Sequence, residues 1–320
     1  MVGEVVFKGP CAAGPITVQI QGNVTANEDP SAYTLGAWFM IQDVSNVIVT
    51  GGGTLDGKGA SVWKYDDGGT PMAVSLVMER VSFGKMNGLF FVNSMGFHSK
   101  ITDSHDVVVD ALTITAPATS PNTDGIHLSN ATNVNITNSV IGTGDDCVSI
   151  GQGAVNVLVS GVTCGPGHGI SVGSLGKRDN ELNVSGVKVI HCKMSSTSNG
   201  ARIKTYSETP ELQATGITFQ DITMDHVANP IIIDQHYHSS KTKDSNVKIS
   251  DVHFIDIKGT TTTPAAIQLD CSATHPCESV QLSNINLQPA GGVTALTATC
   301  ANAKTTVTGT TTPPMPRLCS

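Results

Sequence analysis

Val187-Lys188-Val189-Ile190-His191-Cys192-Lys193-Met194 is the stretch that decides how this chain folds. Val187 and Val189 stand two residues apart, and Cys192 and Met194 repeat that step five residues on. Side chains at i and i+2 share one face of an extended strand, so the pattern reads as β-structure with an apolar side. The same spacing recurs at Val107/Val109/Leu112/Ile114, Val157/Val159/Val162/Cys164, Ile217/Phe219/Ile222/Met224, Val247/Ile249/Val252/Phe254 and Val280/Leu282/Ile285/Leu287, with a looser copy at Val134/Ile136/Ile141. The copies start 23 to 33 residues apart, a period that signals a solenoid. Helical spacing is sustained nowhere for long, and no Leu-x-x-Leu-x-Leu pattern recurs. One coil cannot bury its inward side chains alone, whereas stacked coils share a continuous interior. The expected fold is therefore all-β, a right-handed parallel β-helix of about ten coils, forming one domain over residues 1–320. Val109, Ile136, Val159, Val189, Phe219 and Ile249 are expected inside it.

Composition agrees. Aromatic residues make up 4% of the chain, too few to anchor several globular cores, and no charge block or Pro-rich linker divides it. The formal net charge of −8 argues against nucleic acid and anionic membranes as partners of the surface as a whole. No apolar run approaches the ~18 residues of a membrane span. Eight cysteines, among them the close pair Cys271/Cys277 and the late pair Cys300/Cys319, and sequons at Asn23, Asn130, Asn135 and Asn183 favour a secreted protein.

Four segments stand out against the repeat: Asn122-Thr123-Asp124-Gly125, Gly144-Asp145-Asp146, Gly167-His168-Gly169 and Arg202-Ile203-Lys204. The successive steps from Asp124 to Asp145, from Asp145 to His168 and from His168 to Arg202 are 21, 23 and 34 residues, roughly one coil each, so the segments fall on neighbouring rungs of one face. Taken singly, each has a plainer explanation. Paired Asp residues form turns, Gly-His-Gly makes a tight loop, Arg-x-Lys is a solvated strand face, and clustered carboxylates can hold Ca²⁺. Together, in register, they make a site with three carboxylates, an imidazole and two cations. Glycoside hydrolysis uses such parts: one protonated carboxylic acid serves the leaving oxygen and another carboxylate activates water. Crowded carboxylates repel, which keeps a proton available. Arg202 and Lys204 suit a carboxylate on the substrate.

The segments Ser120-Pro121-Asn122-Thr123-Asp124-Gly125-Ile126-His127, Gly142-Thr143-Gly144-Asp145-Asp146-Cys147, Cys164-Gly165-Pro166-Gly167-His168-Gly169-Ile170 and Arg202-Ile203-Lys204 resemble the signatures of plant polygalacturonases, glycoside hydrolase family 28. The likeness extends to Gly53-Thr54-Leu55-Asp56-Gly57 and to Asn229-Pro230-Ile231-Ile232-Ile233-Asp234-Gln235, and is strongest in style to the pollen exo-acting branch. It implies an inverting hydrolase of the α-1,4-galacturonan of pectin, needing neither cofactor nor metal; the style points to exo action, while the loops at the groove ends decide between exo and endo. Asp145 would be the general acid, Asp124 and Asp146 would position and activate water, and His168 would tune the acid. Arg202, Lys204, Asn122 and Tyr237 would bind substrate. A secreted monomer acting in the cell wall is implied as well.

The resemblance also implies a leader and an N-terminal cap, neither recognisable in Met1 to Pro10, so the chain is expected to be a mature or trimmed form lacking that cap. His238 stands where relatives carry a cysteine after the matching tyrosine. The expected bridges are Cys147–Cys164, Cys271–Cys277 and Cys300–Cys319, with Cys11 and Cys192 reduced. Two other functions compete: a Ca²⁺-dependent pectate lyase acting by β-elimination, and a β-helix that binds pectin without cutting it. The intact set Asp124, Asp145, Asp146 and His168 argues against the second of these.

Overall fold

The computed structural model describes residues 1–11, 14–66, 72–238 and 243–319. Their strands pair in parallel into one continuous sheet wound as a right-handed parallel β-helix. Each coil carries three strand segments, and each of the three faces is a ladder of eleven rungs among the described residues. One face runs from Val5–Lys8 through Ile126–Leu128, Val148–Ile150, Ile170–Leu175 and Asn199–Tyr206 to Thr297–Ala301. This face carries the site described below.

Alternation is what closes the interior. In Val184–Ser195 the inward Val187, Val189, Cys192 and Met194 are buried, while Lys188 and Lys193 point out. All six side chains expected inside are fully buried. Register stacks like on like: Val107, Val134, Val157, Val187 and Ile217 are consecutive partners, and the rings of Phe219 and Phe254 stack at 5.6 Å.

One copy of the repeat is corrected by the register. Ile217 pairs with Val252 and Phe219 with Phe254, while Val247 pairs with Leu212. The copy assigned to Val247/Ile249/Val252/Phe254 therefore begins at Val252 and continues to Ile257. Both phases place apolar residues two apart on the inner side, so spacing alone does not separate them. Backbone pairing does.

The corner between the first two faces is built from residues with left-handed backbone. Asn46, Phe83, Asp106, Asn133, Asn156, Gly186, Gly216, Asp251 and Ser279 occupy equivalent places in successive coils, and all have φ between 53° and 68°. Asn, Asp and Gly tolerate that region best, and the side chains reinforce one another. Asn133 Nδ2 donates to Asp106 Oδ1 at 3.0 Å, and Asn156 Nδ2 donates to Asn133 Oδ1 at 2.7 Å. Phe83 is the one large apolar residue in the column: it is 58% exposed and rests its ring edge-on against His105. Cys147–Cys164, Cys271–Cys277 and Cys300–Cys319 are bonded, Cys11 is exposed and reduced, and Cys192 is buried and reduced.

Candidate active site

Register brings the four motif segments together. Ile126, Val148 and Ile170 are partners in adjacent rungs, so Asp124, Asp146 and His168, each two residues earlier, stand in one column at the entrance to the face. Asp145 lies beside that column. Ser171 pairs with Arg202, which puts the two cations on the next rung. The tight loop read in Gly167-His168-Gly169 is what delivers His168. A Cβ on Gly167 would stand 2.6 Å from the carbonyl of Asp145, and one on Gly169 would stand 2.1 Å from that of Asn199. Only glycine permits backbones so close. The His168 amide then donates to the Asp145 carbonyl at 2.8 Å, and its Nδ1 lies 2.9 Å from Asp145 Oδ1.

The three carboxylates sit in different surroundings. Asp146 is 1% exposed. Its Oδ1 accepts from Arg202 at 2.7 Å and from Ser171 Oγ at 2.8 Å, and its Oδ2 accepts from Lys204 Nζ at 2.8 Å. Burial alone would raise its pKa, but the charges of Lys204 and Arg202 outweigh that and hold it below the ordinary aspartate value. Asp124 is 6% exposed and has no such counter-charge in contact. Burial first, then the charges of Asp145 and Asp146, push its pKa well above the usual range, against the lowering effect of a 2.5 Å hydrogen bond from Ser149 Oγ. Asp145 is the most open of the three, with 22% of its side chain exposed. Asp146 is thus the group favoured to stay ionised, and Asp124 the one pushed towards its protonated form. Such a cluster titrates as a unit.

Arg202 and Lys204 are therefore engaged before any ligand arrives. Two formal positive charges face the one negative charge of Asp146, leaving the rung net positive. Lys204 Nζ also lies 5.1 Å from the ring centroid of Tyr237, whose hydroxyl is pushed towards higher pKa by burial. Asn122 is exposed, has left-handed backbone, and donates from Nδ2 to Asp66 Oδ2 at 2.9 Å across the mouth of the cleft.

Several contributors were not singled out in the sequence. Ser149 and Ser171 are the outward residues of Val148-Ser149-Ile150 and Ile170-Ser171-Val172, and each bonds one carboxylate. A serine between two inward apolar residues, repeated one coil later, was the signal available. His127 Nδ1 lies 2.8 Å from Ser149 Oγ, extending the chain from Asp124. Burial, with Lys100 next in weight, takes its pKa down to about 3, so His127 is neutral. His98 is buried beneath Asp124, with Nδ1 3.1 Å from the Asp124 carbonyl and Nε2 accepting from the Ser94 amide at 3.3 Å. Burial lowers its pKa to about 4, so it too is a neutral brace.

Among the described residues, two groups of side chains could hold a metal ion by proximity. In Asp145, Asp146 and His168, one donor atom of each lies within 4.8 Å of the others. Both Asp146 oxygens are already bonded to Arg202, Ser171 and Lys204, so a divalent cation there would sit against two like charges. The second group, Asp234, His236 and Asp270, lies on the two rungs beyond Lys204.

The arrangement has the parts for acid–base chemistry on a glycosidic bond, beside a cleft of ≈ 640 Å³ lined by Asn122, His127, Lys100 and Arg178 among others. Comparison with known proteins points the same way. The family model described as glycosyl hydrolases family 28 matches residues 1–310. An exopolygalacturonase of Arabidopsis thaliana is 46% identical over 296 residues, covering 91% of this chain and 69% of that protein. An exopolygalacturonase of Platanus acerifolia is 41% identical, covering 96% and 84%. Among solved structures, the endo-xylogalacturonan hydrolase of Aspergillus tubingensis superposes with a TM-score of 0.82 at 23% identity, covering 95% of this chain and 92% of that one.

Proposed function

The chain belongs to glycosyl hydrolases family 28, and from that premise we propose that it is an exo-acting polygalacturonase, hydrolysing the α-1,4-galacturonosyl linkages of pectin with inversion. The carrying observation is the buried Asp146–Arg202–Lys204 group beside Asp124 and Asp145: a carboxylate held towards its ionised form and one pushed towards its protonated form meet on neighbouring rungs, with positive charge left over for a uronate. Hydrolysis at a family-28 site, rather than β-elimination or binding without cleavage, is the reading this chemistry supports. The kinship to plant exopolygalacturonases supports removal of terminal units. The family and its plant relatives support placing the enzyme outside the cell, on the wall polymer.

In this mechanism Asp145 delivers its proton to the leaving oxygen. Its openness and its contact with His168 suit that task, because the acid must reach the substrate and be reprotonated between turnovers. Asp146, held ionised by Arg202 and Lys204, and Asp124, bonded to Ser149, position the attacking water; inverting enzymes need room for it between base and sugar. Arg202 and Lys204 keep donors beyond those given to Asp146 and Ser171, and with Tyr237 and Asn122 they bind the substrate. The test is product analysis with proton NMR on fresh digests of polygalacturonate. Monogalacturonate should accumulate, the β-anomer should appear first, and Asp145→Asn should lower turnover by about 10²–10⁴-fold with substrate binding largely kept. An α-anomer first, or near-normal turnover in Asp145→Asn, would overturn the assignment.

A further inference from the structure

Lys100, His127, Ser149, Ser171 and Arg202 are register partners in five consecutive rungs. They form one outward-facing row along the floor of the site. The carboxylates lie over the middle of that row, and its two ends are cationic. Lys100 is two rungs before Ser149 and Arg202 two rungs after it, so each stands ~10 Å from the centre at the usual strand spacing.

The two ends differ in one respect. Arg202 is paired with Asp146, whereas Lys100 is half-buried and its ammonium has no hydrogen-bond or ion-pair partner among the described residues. Burial, and after it the neighbouring charge of Arg178, lower its pKa. An unpaired ammonium so placed is costly unless an anion joins it. The nearby acids are already bonded, Glu79 to Arg80 and to Gln42. Asp103 accepts from Asn130 at 2.6 Å, and Glu181 accepts from the amides of Gly176, Lys177 and Arg178 at 2.6, 3.0 and 3.1 Å. Those three bonds fold the loop that brings Arg178 to the cleft shared with Lys100. Between the cations and the carboxylates stands His127, neutral and committed through Nδ1 to Ser149.

We infer that Lys100 and Arg178 form a second carboxylate-binding subsite, receiving a uronate unit on the side of the scissile bond opposite the one held at Arg202 and Lys204. The inference rests on the proposed hydrolysis of a galacturonan and adds a requirement to it: the units on both sides of the cut must carry free carboxylates. A point charge at Lys100 and a planar fork at Arg178 suit a carboxylate, and a methyl ester would leave the ammonium unpaired.

The experiment compares wild type, Lys100→Met and Arg178→Met on unesterified and fully methyl-esterified trigalacturonate. Digalacturonate binding is measured by calorimetry in the Asp145→Asn background. Each substitution should raise KM for the unesterified trimer about tenfold with kcat within a factor of about two, and weaken digalacturonate to the same degree. Affinity for the esterified trimer should not change. Unchanged KM and digalacturonate affinity in both variants would eliminate the subsite, as would a collapse of kcat at constant KM. If Lys100→Met fails to fold, Arg178→Met decides alone. A wild type that leaves polygalacturonate intact counts against the functional proposal instead, and digalacturonate binding then still reports on the subsite.

Discussion

Replacing Lys204 by Met tests the electrostatic core of the site without relying on activity. Lys204 Nζ and Asp146 Oδ2 are 2.8 Å apart, with side chains only 7% and 1% exposed. At an effective dielectric of 20 this contact carries about 6 kcal/mol of gross attraction. Against that stands the desolvation of the ammonium, which the variant no longer bears. Arg202 still bonds Asp146 Oδ1 at 2.7 Å, so the net loss should fall at the low end of the cost of breaking a buried pair, about 3 kcal/mol at pH 7. The sign with pH follows from the depressed pKa of Asp146. A lowered folded-state pKa gives stability that is present above the unfolded aspartate value and lost as pH falls through the folded one. The lysine matters only while Asp146 is ionised, so the penalty should shrink as pH drops from 7 towards 3. Urea unfolding of wild type, Lys204→Met, Asp146→Asn and the double variant at both pH values measures this, the cycle isolating the pair. A penalty below about 1 kcal/mol at pH 7, or one that does not shrink in acid, would refute the reasoning. Because Lys204 also holds the charge of Asp146, kcat should fall along with substrate affinity; sequence reasoning alone would place its effect mainly on binding.

Two further outcomes concern the scaffold. Phe83→Asn should stabilise the protein by about 1 kcal/mol, since Phe83 is exposed at φ 55° in a column where neighbouring coils use Asn and Asp; thermal unfolding with an unchanged or lowered midpoint would contradict this. Phe219→Ala should cost about 3–5 kcal/mol, because Phe219 is fully buried and stacked on Phe254, and a loss under about 1 kcal/mol in urea titration would mean the coil interior collapses to fill the space.

The architecture was legible in the chain because its cause is local. Residues two apart on a strand face the same way whatever the rest of the protein does, so Val187/Val189 and Ile217/Phe219 announce a rung each. The near-regular return of that pattern announces the stacking. The column of Asp124, Asp146 and His168 followed for the same reason: motifs one coil apart must meet on one face.

Tertiary structure decided what local spacing leaves equal. The chain around 247–254 offers two inward phases, and pairing with Ile217 and Phe219 selects the one beginning at Val252. Asp124, Asp145 and Asp146 are chemically identical letters, yet Asp146 is ionised because Arg202 and Lys204, 56 and 58 residues away, close on it. Asp124 is pushed towards its protonated form because burial leaves it with a serine and two like charges. Proton affinity depends on the field and solvent at a point in space, and both are set by residues from several coils. The parts of the site could thus be named from the sequence, and their charge states came from the way the coils enclose them.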